Sequence, residues 1–181
     1  MNEKGPQPPT DTGRAKAPRR ELWQEATVMA LYVSIVTLAA LVALPSDYAA
    51  SDGGEGHSGP ALLSIVWGTA IGLALAHWVA FEVAAIGFHS GKVRRSDLAL
   101  ASAQIAGAAI VAAAATIAIL FADDSSAVQA AAFAPALIIG VAGYGAARAG
   151  ERSVTASVVI GVLVLLAGLA VAIIKTILGG H

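Results

Sequence analysis

The chain has 181 residues, of which 57% are hydrophobic and only 13% charged, with a formal net charge of -1 and no cysteine. A soluble domain carries about 25% charged residues, so this composition excludes an ordinary water-facing surface. The small net charge argues against a nucleic-acid partner, and the lack of cysteine excludes disulfides, iron–sulfur clusters, thiolate zinc sites and thiol catalysis.

Residues 1–21 mix Pro6, Pro8, Pro9 and Pro18 with Lys, Arg, Asp and Thr and show no apolar period. That composition predicts a disordered tail. Arg14, Lys16, Arg19 and Arg20 form a basic cluster just before the first apolar run. Facing an anionic leaflet, each would contribute about 1 kcal/mol of attraction. A cleaved signal peptide is not expected, because the apolar run that follows exceeds the roughly 7–15 residues of a signal h-region.

Five apolar runs then follow, at about 22–44, 61–87, 98–122, 127–147 and 154–178. Each reaches the roughly 20 residues that carry a helix across hydrocarbon. Pro45 closes the first, Pro60 opens the second, and Gly179 with Gly180 closes the last. Backbone groups in lipid must be satisfied within the segment, so each run should be helical. The fourth contains Pro135, Gly140, Gly143 and Gly145, and its alternative is a re-entrant segment in a four-span protein. The expected fold is therefore an all-α transmembrane bundle of five spans, with residues 179–181 as a short outer C-terminus.

Charge predicts the threading. Of eleven Lys and Arg residues, five lie in the tail, Lys92, Arg94 and Arg95 lie between runs two and three, and Arg148 and Arg152 lie between runs four and five. The alternate connections hold Asp47, Asp52, Glu55, Asp123 and Asp124 and no basic residue. The positive-inside rule places the N-terminus in the cytoplasm and the C-terminus outside a bacterial plasma membrane. Lys175, near the outer end of run five, can extend its ammonium to the interface.

Ionisable or amide groups inside a span are candidates for function. His77 falls about 5 Å from the midplane and Glu82 about 12 Å. Glu25 and Gln104 share the same half of the bilayer, so His77, Glu82, Gln104 and Glu25 form a candidate intramembrane polar cluster. His77 and Glu82 stand about 140° apart around their helix, so a shared site needs another span between them. The alternative is structural, with His77 hydrogen-bonded to a neighbour and each glutamate paired with interfacial arginine. The acidic outer loop, with Asp47, Asp52, Glu55 and His57, lacks EF-hand spacing and reads as a solvated surface. No metal site or cofactor is expected. Gly56-His57-Ser58-Gly59 fails as a nucleophile elbow, because Pro60 stands where the second glycine is needed.

Helices in lipid associate by close backbone approach. Run two carries Gly68, Gly72, Ala76, Ala80 and Ala84 at four-residue spacing, a candidate packing seam within the chain or between chains. Ala99, Ala103 and Gly107 offer the same on run three, Ala132, Ala136 and Gly140 on run four, and Gly161, Gly168 and Ala172 on run five.

Glu21-Leu22-Trp23 opening the first run, His77-Trp78 with Phe81 in the second, and Arg148 to Ser153 before a final run ending Lys175 to His181 give the chain its layout. This layout resembles the small multi-span integral membrane proteins of high-GC actinobacteria. The resemblance covers most of the chain and implies a multi-pass membrane location, without implying an activity or cofactor. Beside the bilayer itself, the expected partner is a second copy or another membrane protein. The expected function is that of a non-enzymatic accessory, scaffold or self-associating subunit. The alternative is a small transporter or channel for protons, cations or a solute that uses His77 and Glu82.

Overall fold

A computed structural model describes residues 19–44, 59–89, 95–123 and 126–179. The expectations for Arg14 and Lys16, for the acidic loop at Asp47, Asp52, Glu55 and His57, and for Lys92, Arg94 and Asp124 concern positions outside these residues. The described chain forms five helices: α1 (Arg19–Val42), α2 (Gly59–His89), α3 (Arg95–Leu120), α4 (Ala127–Ala149) and α5 (Val154–Gly179). All five are long and apolar enough to cross a membrane. The protein is an all-helical bundle of five such spans.

The fourth run forms one continuous helix of 23 residues with Pro135 inside it, rather than a re-entrant segment. A proline removes one N–H from the ladder, and the neighbouring helices of a packed bundle hold the remainder in place. The helices alternate in direction. Arg19, Arg148 and Arg152 therefore gather at one end of the bundle, here the arginine end, and Asp123 lies at the other.

α1 lies at the centre, packed against α3, α4 and α5, with α2 more lightly attached. One core joins Met29, Val33 and Leu41 of α1 to Leu62, Val66 and Ala70 of α2, Val111, Ala112 and Ala115 of α3, and Ala127, Ala131 and Ala134 of α4. A second joins Leu38 and Ala39 of α1 to Ile139 of α4 and Ala172 of α5.

Glycine permits the two tightest crossings. A methyl group on Gly107 of α3 would overlap the Ala26 carbonyl oxygen of α1 and lie 3.1 Å from its carbonyl carbon. One on Gly161 of α5 would lie 2.9 Å from the Gly140 carbonyl oxygen and 3.3 Å from Tyr144 Cβ of α4. Such close approach of backbones is what holds helices together in lipid, where burial from water contributes nothing.

The α4–α5 turn sits at the arginine end. The Glu151 N–H donates to the Arg148 carbonyl and the Arg152 N–H to the Ala147 carbonyl, at 3.0 and 3.2 Å. This double closure requires a left-handed residue, and Glu151 supplies it at φ 58. Ser153 then caps α5, its Oγ accepting the Ala156 N–H at 3.2 Å.

Candidate functional site

The four polar residues predicted within the spans separate into a bonded pair and two others. Gln104 Nε2 of α3 donates to Glu25 Oε2 of α1 at 2.7 Å, and both side chains are half-buried. The crossing at Gly107 and Ala26 brings them together: each polar residue lies within three positions of that contact on its own helix. Gln104 also lines a narrow cleft between α1, α2 and α3 with Met29, Ala74, Trp78, Ala101 and Ile105. The cleft leaves no room for a water molecule.

Glu82 is half-buried, one helical turn beyond Trp78 towards the arginine end. His77 lies on another face of α2, exposed, and has no hydrogen-bond partner among the described residues. The α2 backbone explains the division. Near its start, α2 turns Leu62, Val66 and Ala70 inward. Past Ala70 the inward face rotates to Ala74 and Trp78, leaving His77 off the bundle. Among the described residues no group of three or more His, Asp or Glu side chains could hold a metal ion.

The small-residue seam on α2 also faces outward. Gly68, Gly72, Ala76, Ala80 and Ala84 are all exposed, and an added methyl on Gly68 or Gly72 would meet nothing within 4 Å. The seam is therefore not the interior face of α2. That role falls to the larger Leu62 and Val66, with the small residues of α3 facing them. By contrast, Gly107, Gly161, Gly168 and Ala172, noted from the same spacing rule, lie inside helix crossings.

Arg19 and Arg20 open α1 with exposed side chains at the arginine end. Arg148 and Arg152 lie at the same end, and Arg148 Nη1 donates to the Arg152 carbonyl at 2.6 Å.

Two features escaped the sequence reading. Trp67 Nε1 of α2 donates to Thr116 Oγ1 of α3 at 3.0 Å, while that hydroxyl donates to the Ala112 carbonyl at 2.7 Å. This chain ties α2 to α3 in the half away from the arginines. A depth comparison of polar residues on adjacent spans would have paired them. Ser34 and Thr37 of α1 are fully buried, and neither hydroxyl has a hydrogen-bond partner. Short hydroxyls are common in membrane helices, so residue type alone did not distinguish them.

No protein-family model matches the chain, and no curated protein or solved structure matches it either.

Proposed function

We propose that the protein is a non-enzymatic integral membrane subunit, an accessory or scaffold component that associates with a second copy of itself through the outward face of α2. The observation that carries this reading is His77. It lies exposed on a spanning helix, beside an exposed seam of small residues. An imidazole left in hydrocarbon is costly, and the cost falls when it finds a hydrogen-bond partner. Neutral imidazole has one donor and one acceptor, so it is complementary to itself. Two copies threaded the same way present His77 at the same depth, and a two-fold axis along the membrane normal lets one ring donate to the other. Ala80 and Ala84 lie within about 60° of His77 around the helix and allow the two backbones to approach.

The chain has no cysteine, so single-cysteine variants report cleanly. Oxidative cross-linking in membranes should trap a dimer for Ala80→Cys and none for Phe133→Cys, which is exposed on α4. His77→Leu should lower the Ala80→Cys dimer yield. Equal cross-linking at both positions, or none at Ala80, would remove the reading.

The threading belongs to the same proposal: a bacterial plasma membrane, with the arginine end in the cytoplasm and the C-terminus outside. The positive-inside rule supports it. Gly150→Cys should react with an impermeant thiol reagent only after the cells are opened, and Asp123→Cys before. The likeness to small actinobacterial membrane proteins agrees with this location.

A second reading, a transporter or channel for protons, cations or a small solute, draws on the half-buried Glu25–Gln104 bond. His77 lies on a different face of α2 from the cleft that holds Gln104, which weakens the version built on His77 and Glu82. Proton flux into proteoliposomes that Glu25→Gln abolishes, and His77→Leu leaves intact, would favour this second reading.

A further inference from the structure

Ser34 and Thr37 of α1 have 0% exposure, and their hydroxyl oxygens have no hydrogen-bond partner. An unmet buried hydroxyl is costly, so two of them in the central helix need a physical account. Their placement supplies one. Val33 and Leu41 share a core with Ala131 and Ala134 of α4, and Leu38 shares the second core with Ile139 of α4. Thr37 and Ser34 stand about 40° and 100° around α1 from Val33, with Leu38 at about 140°. Both hydroxyls therefore lie between residues that share a core with α4.

The facing stretch of α4 holds Pro135, fully buried, and Ala131, also at 0% exposure. Proline has no N–H, so it gives no hydrogen bond to the carbonyl four residues before it, that of Ala131. The depths agree. Thr37 lies five residues from the end of α1 and Ala131 four residues from the start of α4, about 7 Å and 6 Å in from the same end of the bundle. Ser34 and Pro135 both lie about 12 Å in. Two hydroxyls and one proline-freed carbonyl thus lie in the same stretch, about 6–12 Å in from one end of the bundle, on two helices that pack together.

We propose that a single buried water molecule bridges α1 and α4 there, held by Ser34 Oγ, Thr37 Oγ1 and the Ala131 carbonyl oxygen. Buried waters make about three hydrogen bonds to polar groups that would otherwise be unsatisfied, and this set offers three. Membrane helices tolerate proline where neighbouring hydroxyls and ordered water satisfy the freed backbone. A cation is the poorer occupant. The three oxygens are formally neutral, and a hard cation takes about six ligands or more. The bridge makes α4's proline and α1's hydroxyls one unit.

A double-mutant cycle on the full chain in lipid nanodiscs tests this. Thr37→Val keeps the shape and removes the hydroxyl, and should lower the thermal midpoint by a few degrees. In the Pro135→Ala background the new N–H serves the Ala131 carbonyl, so the same substitution should lower it by clearly less. Additive shifts would overturn the proposal. Thr37→Ser should retain most of the wild-type midpoint. Water-edited solid-state NMR should show rapid transfer from water to Ser34 and Thr37 but not to the equally buried Val33. Absence of that transfer would overturn it even if a variant misfolds. Replacing sodium with choline should leave the midpoint unchanged, and a rise specific to sodium would replace the water with an ion.

Discussion

Two helices of similar hydropathy meet opposite fates in this bundle. Of the spanning window of α1, 44% is buried by the rest of the chain, against 17% of that of α2. α2 carries the more regular stripe of small residues, yet α1 is the helix around which the others assemble. A small residue permits close approach but does not compel it. α1 is approached closely by its neighbours: Gly107 of α3 meets the Ala26 backbone, and Gly168 of α5 packs first on Ile139 of α4 and next on Ile35 of α1. At Gly68 and Gly72 the α2 seam meets no such partner among the described residues.

The largest test of this contrast is a pair of single methyl groups. Gly107→Ala should destabilise the protein by about 1–3 kcal/mol, because the methyl must displace the α1 backbone rather than a flexible side chain. Gly161→Ala should do the same at the α4–α5 crossing, since its methyl would meet the Gly140 carbonyl at 2.9 Å. Gly68→Ala should leave the stability of the single chain within about 0.5 kcal/mol of wild type. Thermal melts in mild detergent read all three. Equal losses at Gly107 and Gly68 would break the comparison, and would mean that α2 packs inward by its seam after all.

Loss of the Glu25–Gln104 bond is the next effect in size. Gln104→Leu should cost about 1 kcal/mol, within the range of interhelical hydrogen bonds in membranes. It should loosen the α1–α3 contact at the arginine end, read as faster amide exchange around Ala26. Glu151→Gly should act in the other direction. It relieves a left-handed conformation in an L-residue and should raise stability by about 1 kcal/mol. Trp67→Phe removes the indole donor to Thr116 and should cost about 0.6 kcal/mol. A double variant with Thr116→Val that costs no more than the single change would show that the bond itself was measured.

Much of the fold was legible before any packing was known. The runs at 22–44 and 154–178 correspond to helices Arg19–Val42 and Val154–Gly179, with differences of a few residues at the ends. The second and third helices begin two to three residues earlier than their apolar runs. Polar residues such as Ser96 and Asp97 can extend a helix beyond the hydrocarbon at no cost in lipid. Part of the candidate site was legible too. Glu25 and Gln104 were singled out for sharing one half of the bilayer, and they are bonded. His77 was placed with them by depth alone, and depth carries no information about the face on which a residue lies.

Length, hydropathy and the sorting of charge decided by themselves that five helices exist, where each lies to within a few residues, and that Arg19, Arg148 and Arg152 gather at one end. Those properties follow from each segment's own dealings with lipid and water, so they can be read one segment at a time. The rotation of each helix about its axis could not be read in that way. It made Gly107 a crossing point and Gly68 an open surface, paired Gln104 with Glu25, and buried the hydroxyls of Ser34 and Thr37. Lipid accepts almost any apolar face equally well, so only the fit of helix against helix chooses which one turns inward.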